Sequence, residues 1–516
     1  MFNQFPSLAR KISFSLFFVV IFAIIWRVGF ANLDPDLGWH LKFGQDISQN
    51  HQLPHDQIHL WSINGSWVDH EWLSNWLMFL IYHKTGYIGL TFVFALISAW
   101  ALWLVAKNLR QQTWSSDIFV AGLTSLGLAG ILPHLGPRPQ QISFLFLALE
   151  LLILKKISQK PNWRSAFGLL IFFWFWACLH GGFVVGLAVL GLWSAQKILT
   201  AIKNHQTKKG LFPFLTGLGC LIATLITPYG LKLYDFLFTY QNNAYLKHIS
   251  EWKAVWVFPI HYWQLLFMAL VIALAIIVLI FKTKIKDDLW LWLSVVLFLL
   301  MSFKSVRHFP LFFVVASLTI VPEFIKTNFK KISTYKKTAL TTSIEFFAIG
   351  CLLGLAWLSL FSINFLRDPW RKFCADYPCQ TVQVLKNDPQ YSQLKLLNKY
   401  DYGGWLIWVW PEKKLFIDGR LPQYPLGKWS LLEEYLEFDN PDKIAEKLKT
   451  YDIEMVLWGN HLATYKLNWL DKLLGFKEAE INNRSDELKK YLSHSPDWRR
   501  VFFDEASTVF IRQDKL

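Results

Sequence analysis

Residues 31–71 hold the richest concentration of side chains that could do chemistry. Asp34 and Asp36 flank a proline directly after an apolar run, and His40 follows four residues later. Two carboxylates at this spacing can share a divalent cation, Mg²⁺ or Mn²⁺, with phosphate oxygens. An imidazole four residues after Asp36 shares its face if a helix begins there. The alternative for the acidic pair alone is a solvated Asp-Pro turn.

Further acids, imidazoles and guanidinium groups recur near the ends of later apolar runs. The members are His70 and Glu71 at the close of the first loop, followed by Arg138, His180, Glu251, Arg307 and His308. Each has a simpler interpretation: the two arginines can snorkel to a membrane interface, and His180, before two glycines, can cap a helix end. Their repetition favours one shared site.

A third group lies in the C-terminal part of the chain, where Asp418 and Arg420 flank a glycine after a short apolar run. An Asp-Gly-Arg sequence is ordinary in turns, so contact with substrate is the less favoured of two interpretations. Both residues are retained as candidates for substrate binding.

Composition indicates what must position these groups. Of the 516 residues 53% are hydrophobic, with 27 Trp and 44 Phe, which excludes an ordinary soluble protein. The net charge of +15 comes from short clusters between apolar runs rather than one basic patch, so the sequence predicts no nucleic-acid partner. The pair Cys374 and Cys379 can form a disulfide or stay reduced, depending on the compartment.

Apolar runs of membrane-crossing length predict about eleven transmembrane helices. They cover roughly residues 12–30, 87–106, 117–134, 139–155, 165–180, 182–198, 211–228, 261–281, 289–304, 308–323 and 338–363. Lys and Arg are concentrated in alternate loops, such as the one holding Lys155 to Arg164. The positive-inside rule makes those loops cytoplasmic and places the candidate site residues outside.

The predicted organisation is a transmembrane domain over 1–363 and a soluble extracytoplasmic α/β domain over 364–516. The first domain includes a large outer loop, 31–71, and an amphipathic interfacial helix, 72–84. Within the tail, residues 394–397, 415–417, 455–458 and 508–511 are predicted strands, and 431–436 and 444–448 are predicted helices. The fold class is therefore an α-helical polytopic membrane protein with a small α/β domain, its N-terminus cytoplasmic.

Several motifs, read in order, resemble a family of uncharacterised bacterial polytopic membrane proteins. They are DPDLGWHL, WVDHEWLSN, GPRPQ, LHGGF, TPYGL, SEW, SVRHFPLF and YDYGGWLIW with FIDGR. More loosely, the chain is similar to GT-C-type glycosyltransferases, which use polyprenyl-phosphate sugars. That likeness covers the helix count, the first outer loop with its early acids, and the outer C-terminal domain.

The resemblance implies transfer of a sugar from a polyprenyl-phosphate donor to a glycan, lipid or protein acceptor, on the outer face of a bacterial inner membrane. Its acidic motif falls on Asp34 and Asp36, as catalytic base or as metal ligands. Arg138 and Arg307 become candidates for the donor phosphate, because positive charge stabilises a departing phosphate.

The remaining candidates follow from the same assignment. His40, His70 and Glu71 would orient the acceptor, while His180, Glu251, His308, Asp418 and Arg420 would line the substrate site. Two other functions stay open: a transporter or flippase of a lipid-linked intermediate, and a non-catalytic membrane assembly protein.

Overall fold

The structure is a computed structural model that describes residues 5–55, 58–112, 117–241, 246, 248–281, 288–328, 374, 376–420, 425–426, 429–460, 464–482 and 486–516. The first part of the chain is helical. Its helices are α1 (Phe5–Ala31), α2 (Leu37–Asn50), α3 (Trp72–Gln112), α4 (Asp117–Ile131), α5 (Gln140–Gln159), α6 (Trp163–Leu179), α7 (Phe183–Lys203), α8 (Thr207–Leu225), α9 (Leu231–Gln241), α10 (Tyr262–Phe281), α11 (Leu289–Lys304) and α12 (Phe309–Asn328).

The C-terminal part alternates short helices and strands. Its elements are α13 (Cys379–Asn387), α14 (Pro389–Ser392), β1 (Leu396–Asn398), α15 (Gly403–Val409), β2 (Pro425–Leu426), β3 (Trp429–Ser430), α16 (Leu431–Leu436), α17 (Ile444–Thr450), β4 (Met455–Gly459), α18 (Trp469–Leu473), α19 (Glu478–Ile481), α20 (Glu487–His494), β5 (Trp498–Phe503) and β6 (Ser507–Arg512). The predicted fold class, a polytopic helical protein with a C-terminal α/β part, is confirmed.

The chain divides into two compact units. The helical unit contains Met1–Asp34, His70–Leu237 and Leu246–Asn364, and the mixed unit contains Pro35–Asp69, Phe238–Tyr245 and Phe365–Leu516. Most of the first predicted loop therefore packs with the C-terminal segment. The acidic pair is divided between the units, since Asp34 ends one stretch and Asp36 lies in the next.

In the described part of the helical unit, five helical segments are long and apolar enough to cross a membrane: Phe14–Ala31, Trp72–Arg110, Phe183–Lys203, Tyr262–Phe281 and Val306–Ile325. Three shorter apolar segments accompany them. The eleventh predicted span, 338–363, lies outside the described residues, and the total of about eleven stays a prediction. The helix α9 was not predicted from the sequence.

The helix α3 contains a break at Gly86, where φ is 65° and ψ is −167°. Residues with a side chain rarely adopt this backbone conformation, whereas glycine does so at little cost. The break falls between the predicted interfacial helix, 72–84, and the predicted span, 87–106. The placement of residues 72–84 at the membrane surface stays a prediction.

Small residues allow helices of this unit to approach closely. A Cβ at Gly127 of α4 would collide with the ring of Phe313, and one at Gly130 would collide with Phe309, both on α12. Glycines at helix–helix contacts serve this purpose in membrane bundles. The helix α12 also packs against α3, α5, α10 and α11, which makes it the central helix of the described unit.

The mixed unit is built on a four-stranded sheet with strand order β1–β4–β6–β5. The pair β1–β4 is parallel, and the pairs β4–β6 and β6–β5 are antiparallel. Three predicted strands correspond to β1, β4 and β6. The fourth prediction, 415–417, was wrong: Leu415 makes only an isolated parallel bridge with Leu60, so the apolar run there is a buried loop.

Residues of the first loop pack into the mixed unit through α2 and α15. A Cβ at Gly38 would collide with the carbonyl oxygen of Gly404, and one at Gly404 with that of Pro35. Only glycine permits such an approach of two backbones. Gly38 and Gly404, which lie in the motifs DPDLGWHL and YDYGGWLIW, therefore join α2 to the C-terminal segment.

Candidate functional site

Four charged side chains of the helical unit form a continuous chain of ion pairs, which we call the charge cluster. Arg138 Nε contacts Asp34 Oδ2, and Arg138 Nη1 donates to Glu251 Oε2 at 3.1 Å. Arg307 Nη1 donates to Glu251 Oε1 at 2.5 Å. Glu251 therefore bridges two guanidinium groups, and the four formal charges cancel.

The charge cluster is assembled from residues near the ends of helices, as the sequence predicted. Asp34 follows α1, and Arg138 precedes α5. Glu251 and Arg307 lie in short 3-10 turns, Ser250–Trp252 and Val306–His308. The two turns are held together because Ser305 Oγ donates to the Glu251 carbonyl at 3.1 Å and Val306 N donates to the Lys253 carbonyl at 3.0 Å.

The electrostatics of the cluster keep Glu251 ionised. Burial favours the neutral carboxyl, but Arg307 and Arg138 outweigh it and hold the pKa of Glu251 below its usual value. The side chains of Arg138, Glu251 and Arg307 each remain 26% exposed, which leaves them within reach of an anion. A guanidinium presents several N–H donors in a plane, which suits phosphate oxygens.

Aromatic residues flank the arginine end of the cluster. The guanidinium of Arg307 lies 5.0 Å from the centre of the Trp252 ring, and the His308 ring lies 5.7 Å from the same indole at a steep angle. His308 therefore borders the cluster through Trp252. The indole limits the positions open to the Arg307 side chain.

A second group in the helical unit, the imidazole cluster, joins three further candidates. Glu71 Oε1 lies 3.3 Å from His70 Nε2 and 3.4 Å from His180 Nε2. On the other side of its ring, His180 Nδ1 lies 2.7 Å from Ser143 Oγ. The Trp176 indole N–H donates to the same hydroxyl at 2.8 Å.

These contacts define the tautomer of His180. The backbone N–H of Gly182 donates to His180 Nδ1 at 2.9 Å, so Nδ1 is an acceptor and Ser143 is the second donor to it. The proton of the neutral ring then lies on Nε2, facing the Glu71 carboxylate. His180 is thus more than a helix-end cap, because it orients the carboxylate of Glu71.

The other candidate residues predicted from the sequence lie in the mixed unit. Asp418 and Arg420 form a fully buried ion pair, with Arg420 Nη2 2.6 Å from Asp418 Oδ2, and the guanidinium lies 4.7 Å from the centre of the Trp67 ring and 4.9 Å from that of Phe43. Nearby, burial first and then the charge of Arg420 lower the pKa of His59 to about 3. This geometry is that of a structural core, because neither charge reaches solvent.

Asp36 and His40 lie at the start of α2 in the mixed unit. Asp36 is the N-cap residue, and its side chain makes no capping hydrogen bond. A Cβ at Gly419 would collide with the Asp36 carboxylate, so the glycine of the Asp-Gly-Arg turn makes room for it. His40 is only 4% exposed and its ring lies 3.7 Å from that of Trp39.

The divalent-cation site predicted for Asp34 and Asp36 stays a prediction. Asp34 is paired with Arg138, and a guanidinium competes with a metal for the same carboxylate oxygens. No group of three or more His, Cys, Asp or Glu side chains within the described ranges is arranged to hold a metal ion.

Sequence reasoning missed Ser143 and Trp176, which support the imidazole cluster. Both lie in apolar helices, where a serine or a tryptophan is common and does not by itself indicate a functional role. One signal was present: Ser143 lies two residues after a pair of glutamines at the start of a membrane-length run, and a polar helix end predicts contact with other polar groups.

Comparison with known proteins identifies the fold. No protein-family model and no curated protein matches the chain. Solved structures that match include an Archaeoglobus fulgidus oligosaccharyltransferase, AglB, in complex with an inhibitory peptide and a dolichol-phosphate, at TM-score 0.52, 10% identity, and coverage of 86% of this chain and 69% of that one. ArnT from Cupriavidus metallidurans, bound to undecaprenyl phosphate, matches at TM-score 0.50 and 10% identity over 98% of both chains. The chain therefore has the GT-C-type fold that the sequence resemblance predicted.

Proposed function

We propose that the chain is a membrane-embedded glycosyltransferase that moves a sugar from a polyprenyl-phosphate donor to an acceptor on the non-cytoplasmic face. The observation that carries the proposal is the charge cluster, in which two guanidinium groups meet at helix ends of a GT-C-type fold. The two solved structures described above each hold a polyprenyl phosphate, dolichol-phosphate in one and undecaprenyl phosphate in the other.

The proposed role of the charge cluster is to receive the donor phosphate. When the bond between the sugar carbon and the phosphate oxygen breaks, the phosphate leaves with the bonding electron pair and gains negative charge. Arg138 and Arg307 would stabilise that charge, and fixed positive groups are most effective where water is scarce. Glu251 would hold both guanidinium groups in place before the donor arrives.

The acceptor hydroxyl needs a base, because its oxygen attacks the sugar carbon and releases a proton. We assign this role to Asp36, which follows Asp34 by two residues. Glu71, oriented by His180, is the second candidate and would orient the acceptor hydroxyl together with His70. Asp34 is then a positioning residue for Arg138 rather than a metal ligand, and His40, Asp418 and Arg420 have structural roles.

The proposed location is a bacterial inner membrane, with the N-terminus cytoplasmic and the mixed unit outside. The disulfide between Cys374 and Cys379 supports the second part of this assignment, because stable disulfides form in oxidising compartments. The acceptor, a glycan, lipid or protein, would then approach from the aqueous side.

The proposal is tested with purified protein in lipid nanodiscs and a panel of polyprenyl-phosphate sugars, with and without a chelator. We expect release of polyprenyl phosphate by the wild type, little effect of the chelator, and near-complete loss in Asp36→Asn. Asp235→Asn, which removes one carboxylate from an exposed position of the helical unit, is the matched control.

The competing functions give different results in the same preparation. A transporter or flippase would move labelled lipid across a vesicle membrane without breaking the sugar–phosphate bond. An assembly protein would keep its cellular function in Asp36→Asn. Either outcome, together with a lack of turnover across the donor panel, would contradict the proposed transferase.

A further inference from the structure

A short turn of the mixed unit presents large apolar side chains to the outside. Trp469 is 76% exposed, Leu473 72% and Leu474 55%. Trp469 and Leu473 are four residues apart on α18, so they share one face of the helix. Isolated exposed apolar residues are common, but three neighbours of this size, including a tryptophan, indicate a surface that another phase or molecule covers.

The turn is rigidly built. Asn468 Oδ1 accepts from the backbone N–H groups of Leu470 and Asp471, both at 2.9 Å, and Asp471 Oδ2 accepts from Asn468 N–H at 2.9 Å, which forms a capping box. Asp471 is fully buried. At the other end Gly475 takes a φ of 88°, which terminates the helix.

The segment that carries the turn is closed at its base. Tyr465 N–H donates to Asn482 Oδ1 at 2.7 Å, and Asn482 Nδ2 donates to the Tyr465 carbonyl at 3.0 Å. Leu467 N–H donates to Glu478 Oε1 at 3.3 Å. The apolar side chains are therefore held outward by a compact loop, and they are not exposed through fraying.

Three exposed lysines and two exposed glutamates, Glu478 and Glu480, lie near the apolar side chains in the chain. Lys466, Lys472 and Lys477 are all exposed, while Asp471, the acid within α18, faces inward. Lys477 pairs with Glu480, which leaves Lys466 and Lys472 as the cations beside the tryptophan and leucines. Lysines around an apolar tip match a bilayer surface, where headgroup phosphates lie above the acyl chains.

We propose that the turn formed by Trp469, Leu473 and Leu474 is a membrane-surface anchor that enters the headgroup region of the bilayer. The same chain carries helices that are long and apolar enough to cross a membrane. The turn is therefore covalently linked to segments that lie in a bilayer. Tryptophan is enriched at headgroup depth, the two leucines would contact the outer acyl region, and the lysines would contact lipid phosphates. The inference is independent of the proposed reaction.

The test measures the depth of the turn in full-length protein in nanodiscs. Leu473→Cys is labelled with an environment-sensitive fluorophore and exposed first to brominated lipids, which quench from within the bilayer, and then to iodide, which quenches from water. Glu446→Cys, at an exposed position of α17, is the matched control, and wild type carried through the same labelling reaction corrects for native thiols. Leu474→Cys provides a second position.

We expect brominated lipids to remove most of the fluorescence at positions 473 and 474, with blue-shifted emission, and to leave position 446 unchanged. Iodide should give the reverse pattern. Strong quenching by iodide at all three positions would overturn the anchor. Protection of position 473 from both quenchers would also overturn it, because a second copy or a protein partner would then cover the turn.

Discussion

Replacing Glu251 by glutamine should strengthen the binding of a lipid phosphate. The same substitution removes the ion pairs that Glu251 makes with Arg138 and Arg307. The wild-type cluster holds two carboxylates and two guanidinium groups, so Glu251→Gln changes its net charge from zero to +1. The glutamine keeps the shape of the side chain and one carbonyl oxygen. A phosphate bound by Arg138 and Arg307 then no longer meets the repulsion of the Glu251 carboxylate.

The size of this effect follows from the separation and exposure of the charges. Two unit charges about 4 Å apart interact by about 4 kcal/mol at an effective dielectric constant of about 20. Because the three bridging side chains are each 26% exposed, water screens the term. If roughly a third of this repulsion remains after screening, its removal stabilises phosphate binding by about 1.4 kcal/mol, which is about a tenfold gain in affinity.

The assay is titration of undecaprenyl phosphate into purified protein, with Arg307→Gln and the control Asp235→Asn measured alongside. We expect about tenfold tighter binding in Glu251→Gln, weaker binding in Arg307→Gln, and no change in the control. Equal affinities in all four proteins, each shown to be folded by its thermal transition, would refute the assignment of the cluster as a phosphate site.

Three further predictions concern stability and redox state. Arg420→Met leaves the Asp418 carboxylate buried without its partner, and we expect a loss of about 3–5 kcal/mol, seen as faster proteolysis of the mixed unit; Asp418→Asn in the same protein should restore part of it. The ion pairs of Glu251 lower its pKa in the folded protein. Its contribution to stability is therefore fully present above about pH 4.5 and is lost as the pH falls below that value. We expect the thermal unfolding midpoints of wild type and Glu251→Gln to converge in acid. Reduction of the disulfide between Cys374 and Cys379 should lower the free energy of unfolding by about 2 kcal/mol, from the loop-entropy relation. Intact-mass measurement after thiol labelling should show both cysteines protected without reductant and labelled with it.

The sequence was most informative where its physical signal is local. Apolar runs gave the helices of the helical unit, since backbone groups in lipid must be satisfied within a helix. The sequence predicted one shared site for the acids, imidazoles and guanidinium groups near helix ends. Arg138, Glu251 and Arg307 meet in the charge cluster, whereas Glu71 and His180 belong to the imidazole cluster. The resemblance supplied the fold, which hydropathy alone could not specify.

Other features depend on contacts between residues far apart in the chain. Nothing local to residues 35–69 reveals that they pack with the C-terminal segment, because that packing rests on Gly38 and Gly404, 366 positions apart. The burial of Asp418 and Arg420 could not be predicted, because the sequence shows that both residues are charged but not that they are buried. The role of Ser143 depends on its hydrogen bond with His180, which is 37 residues away in the chain.

The most direct test is sugar transfer by wild-type protein and by Arg307→Gln in the same donor panel, followed as release of polyprenyl phosphate. The proposed function predicts turnover of at least one polyprenyl-phosphate sugar by the wild type and its near abolition in Arg307→Gln, with the variant still folded. Turnover that survives unchanged in Arg307→Gln would contradict the phosphate-binding role of the charge cluster, and no turnover of any donor by the wild type would contradict the transferase.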